Sequence, residues 1–284
     1  MKDKKIIPLT SNIMFKELFG KVENKEATAY LLSTLFELEY NEVLENIKYQ
    51  NTNLEINNIG DYKFDTDVIV TLNNEISINI EMNKEYWKGI ENRNLIYATN
   101  LFASQFKKGS KKEGFKYAKK VIQININNYN YPKEREYAVG IIKDIETNEV
   151  MSEMIQIYHI NLVEIKKKCY NKNELNSIEK IGKLFLSEKI SEVERIMGED
   201  ANKILEKIME LSSDERIVGL YDKEDLERQI KEGIEEAAFE KGIKESKKDI
   251  VVNMLKENVD INLISKVTRL NMEQINNIRK ENNL

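Results

Sequence analysis

The first forty residues carry apolar side chains at helical spacing. Phe15, Leu18 and Phe19, then Tyr30, Leu31 and Leu35, predict a helix from about Asn12 to Leu38 with a break at Gly20. The period then changes. The short segment IKYQN, DVIVTL over 67–72 and ISINIEM over 76–82 read as strands, the last two alternating with period two. Helical spacing returns from about Glu85 to Lys107, through Ile90, Leu95, Ile96, Tyr97, Leu101 and Phe102. GSKKEG over 109–114 has the composition of a loop, and VIQINI (121–126), EYAVGIIKDI (136–145) and MIQIYHI (154–160) predict further strands. Helix, three strands, helix and more strands make an α/β pattern, a mixed sheet flanked by helices. From about Asn173 onward helical spacing dominates, which places a core over residues 1–170 and a helical extension over 171–284.

The hairpin at 67–81 has two plausible registers. A two-residue loop sets apolar residues opposite polar ones throughout. A three-residue loop at Asn73-Asn74-Glu75 pairs Leu72 with Ile76, Val70 with Ile78 and Val68 with Ile80, so that one face is wholly aliphatic. The second register segregates the side chains and is the one selected. On the other face it sets Asp67 opposite Glu81, Ile69 opposite Asn79 and Thr71 opposite Ser77, with Asn83 following Glu81 on the same side. Directly opposed residues have Cβ atoms about 4.5–5.5 Å apart, where like charges repel. Such a pair shares a proton, finds a cation or binds a metal. Hard oxygen donors suit Mg²⁺ or Mn²⁺. Two acids on the solvated face of a hairpin are the plainer alternative.

Composition narrows the chemistry. Cys169 and His159 are the only residues of their types, which excludes a disulfide within the chain and argues against triad or multi-histidine metal chemistry. Carboxylates, amides, lysines and arginines remain. The chain has 284 residues, 41% of them apolar, and a net charge of −5, so contact with nucleic acid needs a local basic surface. No stretch is long and apolar enough for a membrane span, and the start MKDKKIIPLTSN lacks a signal-peptide core, so a soluble cytoplasmic protein is expected.

Several segments together resemble the PD-(D/E)XK nuclease superfamily, and within it the recombination-promoting nuclease and transposase group. FKELFG resembles the first-helix signature. DTDVIVTLNNEISINIEMN resembles the two acid strands and their turn, and RNLIYATNLFASQFKKG with YAKKVIQINI resembles the helix and strand that follow. DIVVNMLKENVDINLISKVTRLNMEQI resembles the helical tail of the group. The resemblance implies a restriction-endonuclease-like fold and magnesium-dependent hydrolysis of DNA phosphodiesters in recombination, transposition or defence. Asp67 and Glu81 match the metal-binding acids, and Asn83 matches the third catalytic position, where lysine or glutamine is usual. Asparagine carries no charge and is no base near neutral pH. A catalytically inactive DNA-binding or regulatory protein on the same fold is therefore the alternative expectation. Arg93 and Tyr97 match recurring positions on the next helix, as phosphate contact or support. Lys84 is adjacent, although alternation points it to the opposite face.

Other features carry two readings each. Glu17 either approaches the site or lies on a solvated helix face. Trp87 is expected in the core, and His159 in a structural role. The lysines of KKGSKK (107–112) and KYAKK (116–120) offer a phosphate-binding surface or line ordinary loops. Residues 222–250 form a solvated charged helix or a dimerising coiled coil, and a homo-oligomer is expected. Residues 260–280 read as two short helices, capped by Asp260 and by the pair Asn271 and Gln274; they form a DNA reader or a docking unit.

Overall fold

The computed structural model describes residues 4–55, 63–106, 112–169, 174–198 and 201–284. The first helical segment is interrupted as its glycine predicts, giving α1 (Asn12–Phe19) and α2 (Lys25–Phe36), followed by α3 (Tyr40–Asn46). The Ser11 hydroxyl caps α1 by accepting from the Met14 amide. Gly20 is required by close approach. A Cβ there would sit 2.6 Å from the Lys16 carbonyl oxygen and 3.6 Å from that of Asp67, so the end of α1 lies against the chain entering the acid strand.

Among the described residues eight strands follow: β1 (Ile47–Tyr49), β2 (Asn53–Glu55), β3 (Lys63–Asp65), β4 (Val68–Leu72), β5 (Ile76–Asn83), β6 (Lys120–Asn127), β7 (Tyr137–Lys143) and β8 (Val150–Asn161). Six of them form a mixed sheet in the order β1-β4-β5-β6-β8-β7, while β2 and β3 pair separately. The central run β5-β6-β8 is parallel and the flanking pairs are antiparallel. A parallel step needs a crossover, and α4 (Ile90–Ala103) supplies it between β5 and β6. This helix starts later than its apolar spacing predicts, because Gly89 with φ +109° ends the preceding turn.

One face of the sheet carries Val68, Val70, Ile78, Ile80, Ile122 and Ile124 into the main core. Phe15 and Phe19 of α1 stack there with Phe185, at ring-centroid distances of 5.1 to 6.0 Å. The opposite face is covered by α4, where Ile69, Ala98, Leu101 and Val121 form a small apolar cluster and the other inward positions are polar.

The helices after the sheet are α5 (Leu162–Lys168), α6 (Ser177–Phe185), α7 (Ile190–Met197), α8 (Asn202–Leu211), α9 (Glu215–Lys256), α10 (Ile261–Thr268) and α11 (Met272–Glu281). Ile165, Ile181, Phe185, Val193 and Ile208 bring α5 to α8 into the main core. The chain accordingly divides into compact units Met1–Tyr221 and Asp222–Leu284. The end of the strand pattern near residue 170 marks a change of secondary structure within one core. In the second unit Val251, Ile264 and Ile275 pack together, Asp260 caps α10, and Asn271 and Gln274 form the capping box of α11. Residues 222–250 lie within α9 and are mostly exposed, with i,i+4 ion pairs such as Lys223–Glu227 and Lys241–Glu245 at 3.9 Å. Among the described residues no helix is long and apolar enough to cross a membrane.

Candidate active site

The hairpin adopts the register that segregates its side chains. Val68 faces Ile80, Val70 faces Ile78 and Leu72 faces Ile76 across a turn at Asn73-Asn74-Glu75, where both asparagines accept positive φ. One step beyond the paired residues stand Asp67 and Glu81, tied by two crossed bonds. The Asp67 amide donates to Glu81 Oε1 at 3.1 Å, and the Met82 amide donates to Asp67 Oδ2 at 3.0 Å. Each carboxylate is thus held by the backbone of the other strand.

Lys16 and Arg93 reach this pair. Lys16 Nζ of α1 lies 3.2 Å from Asp67 Oδ1, and Arg93 Nη2 of α4 lies 3.8 Å from Glu81 Oε2. Arg93 also donates to Asn83 Oδ1, and its guanidinium lies 5.3 Å from the Tyr97 ring centroid and 5.8 Å from that of Trp87. The Tyr97 hydroxyl donates to the Asp65 carbonyl at 3.4 Å. Asn83 is held at both ends, since its amide nitrogen donates to Asn127 Oδ1 at 3.0 Å.

The hairpin face bearing the acids is buried beneath α4, which removes the solvated-face reading. Glu81 is only 3% exposed. Burial, reinforced by the Asp67 charge and opposed by Arg93, pushes its carboxyl up to about 8. A buried acid in that state takes a proton near neutral pH unless more positive charge arrives. Asp67 and Glu81 offer hard oxygen donors suited to a divalent ion. Among the described residues no third Asp, Glu, His or Cys joins them, so further ligands would come from water or a substrate phosphate. Three buried polar atoms in this neighbourhood, Asn79 Oδ1, Arg93 Nε and Asn94 Nδ2, have no hydrogen-bond partner. That polar surplus fits a site that takes up a hydrated charged group.

A row of amides extends away from the acids. Asn79 Nδ2 donates to Glu81 Oε1 at 3.2 Å and to Gln123 Oε1 at 2.8 Å, and Gln123 Nε2 donates to Asn125 Oδ1 at 3.0 Å. Asn127 Nδ2 donates to the Tyr131 carbonyl at 3.1 Å and lies 3.3 Å from His159 Nδ1. Burial lowers the His159 imidazole to about 4, leaving a neutral ring able to accept. Sequence reasoning missed this row, although Gln123, Asn125 and Asn127 alternate visibly with Ile122, Ile124 and Ile126.

The remaining expectations divide. Glu17 pairs with Arg216 at 3.5 Å, and it is Lys16 that turns to the acids. Nothing in the local sequence distinguishes the two. Trp87 is 47% exposed, not part of the core, because it lies in the turn ahead of α4. Lys84 follows the last residue of β5 and is half-buried. Residues 107–111 of the lysine-rich segment lie outside the described residues. Lys120 begins β6 at the end remote from Asn127 and pairs with Glu153 at 3.8 Å, so it adds nothing to this site.

Comparison with known proteins gives one result. Residues 10–237 match the family described as PD-(D/E)XK nuclease family transposase. No curated protein and no solved structure matches the chain. The matched span contains the whole six-stranded sheet, both acids, Asn83 and Arg93, and on this ground the chain belongs to the PD-(D/E)XK nuclease family transposases.

Proposed function

We propose that this protein is a Mg²⁺-dependent DNA endonuclease, with Mn²⁺ able to substitute, acting in recombination, transposition or defence. The observation that carries the reading is the buried Glu81 carboxylate opposed to Asp67 and tied to it by crossed backbone bonds. Asp67 and Glu81 would hold the ion. A divalent cation bound there supplies Lewis acidity and offsets charge on a phosphodiester.

The protein's own residues do the rest. Arg93 presents a planar fork for a phosphate, aligned by Asn83 and by the rings of Tyr97 and Trp87. Lys16 adds a second positive charge beside Asp67. Asn83 serves by orienting Arg93, which supplies the charge that asparagine lacks. The exposed Leu226, Ile230 and Ile234 of α9 support self-association, which sedimentation of the full chain tests.

Nicking of supercoiled plasmid with Mg²⁺ is the deciding assay. Activity is expected in the wild-type protein and not in Asp67→Ala or Glu81→Gln, and unaltered activity in both variants overturns the assignment. One observation favours a second reading, a catalytically silent DNA-binding or regulatory protein. The Asn83 amide is already engaged at both ends, with Arg93 and with Asn127, so its orientation is set by these protein partners and not by a catalytic water. Calorimetry separates the two: the absence of Mg²⁺ and Mn²⁺ binding at millimolar concentration supports the silent form.

A further inference from the structure

Tyr86 and Trp87 stand three and four residues beyond Asn83, the last residue of β5, and both are exposed, at 57% and 47%. An exposed tryptophan usually pivots freely, but this one is held. Its ring lies against the backbone at Gly89, where an added Cβ would come within 3.1 Å of the indole, and φ of +109° at that residue disfavours any side chain. Arg93 stands 5.8 Å from the ring centroid. The neighbouring Tyr86 ring meets Tyr129 edge-on at 5.6 Å. Two aromatic rings are therefore fixed in place yet left open to solvent, and one of them touches the arginine that reaches Glu81.

We infer that Tyr86 and Trp87 form a stacking platform for an unpaired nucleobase, so that the site prefers single-stranded or locally opened DNA to closed duplex. This deepens the nuclease reading and rests on it for the identity of the polymer. In a duplex the base faces are covered by their neighbours, and an exposed ring gains nothing from them. In an unpaired strand every base has a free face that can stack on an aromatic side chain. Charge points the same way. The net charge of −5 gives little long-range attraction to the dense phosphates of duplex DNA. Arg93 couples platform to chemistry: a base stacked on Trp87 brings its backbone beside the guanidinium and the two acids.

Trp87 is the only tryptophan in the chain, so its fluorescence reports the platform directly. The full-length protein in EDTA is titrated with a single-stranded oligonucleotide, and separately with a blunt duplex of the same sequence. A saturable quench by the single strand is expected, with little change from the duplex. Anisotropy of a labelled single strand should show about five- to tenfold weaker binding for Trp87→Ala, largely restored in Trp87→Phe. Equal quench and equal affinity for the duplex, or unchanged single-strand affinity in Trp87→Ala, overturns the inference. Metal-dependent nicking is scored in parallel. Cleavage without strand preference defeats the platform alone, whereas selective quench without cleavage of any substrate defeats the nuclease reading and leaves the platform standing.

Discussion

The Asp67 amide donates to the Glu81 carboxylate, while the Asp67 carboxylate accepts from the residue following Glu81. Backbone therefore fixes the separation of the two acids, and side-chain rotamers alone do not set it. A site built this way keeps two carboxyl groups close before any metal ion is bound. The cost falls on Glu81, the more buried partner, and it is visible as a pH effect.

The folded-state pKa of Glu81 is raised from 4.5 to about 8. Between those values the folded protein holds a proton that the unfolded chain releases, so stability of the metal-free protein falls as pH rises through this window. Thermal melts in EDTA from pH 6.5 to 9 should show that decline. Glu81→Gln removes the titrating group and should flatten the slope, leaving the variant more stable than wild type near pH 8 by up to a few kcal/mol. A wild-type melting temperature that rises steadily over this range contradicts the assignment.

Addition of divalent metal should reverse the same loss. An ion held by Asp67 and Glu81 binds the folded chain only, and at a hundredfold excess over its dissociation constant it stabilises by about 2.7 kcal/mol. The gain should be larger at pH 8 than at pH 6, since at the lower pH the ion must displace a proton from Glu81. Asp67→Ala should remove the metal-dependent shift in melting temperature, and chelation should restore the metal-free curve in wild type. A shift that survives in Asp67→Ala locates the ion elsewhere.

Arg93 offers a sharper test than either acid because Lys and Arg differ in shape more than in charge. The guanidinium bonds Asn83, lies near Glu81 and contacts two aromatic rings, which a lysine cannot do at once. Arg93→Lys should therefore lower kcat about tenfold or more despite conserving charge. Arg93→Ala should also destabilise by about 1–3 kcal/mol, because it leaves the buried Asn83 oxygen without its donor and removes the cation beside Glu81. Single-turnover nicking rates and urea unfolding midpoints measure the two effects separately. Full activity in Arg93→Lys would reduce the arginine to a generic positive charge.

Much of the hairpin is legible in the sequence. Val68, Val70, Ile78 and Ile80 pair aliphatic with aliphatic in only one register, and that register places Asp67 opposite Glu81. What the local pattern could not carry was the layer above. Asp67 and Glu81 read equally well as solvated acids until α4 covers them, and the Lys16 contact depends on Gly20 letting α1 reach the acid strand. Trp87 misled for a related reason. Hydrophobicity predicts burial, but Gly89 and Arg93 hold this ring at the surface. The extent of the core was hidden too, because α5 to α8 bury apolar faces in the main core without any strand signal to announce it.

The amide row gives the last prediction. Asn127 joins Asn83 to His159, donating one amide hydrogen to the Tyr131 carbonyl and presenting the other toward His159 Nδ1. Burial depresses the imidazole from 6.5 to about 4, so the folded protein keeps it neutral where the unfolded chain protonates it. Stability from this group is present above pH 6.5 and is lost as pH falls toward 4, opposite in sign to the Glu81 effect. His159→Asn should flatten the acid side of the melting profile while leaving the decline above pH 6.5 in place. Asn127→Leu fills the same space but gives Asn83 no acceptor, freeing its amide to rotate away from Arg93. Nicking by Asn127→Leu should fall about tenfold through kcat, and Asn127→Gln should recover part of the loss. A variant at Asn127 with wild-type kcat and an altered acid melt alone would show that the row stabilises the fold without setting the position of Arg93.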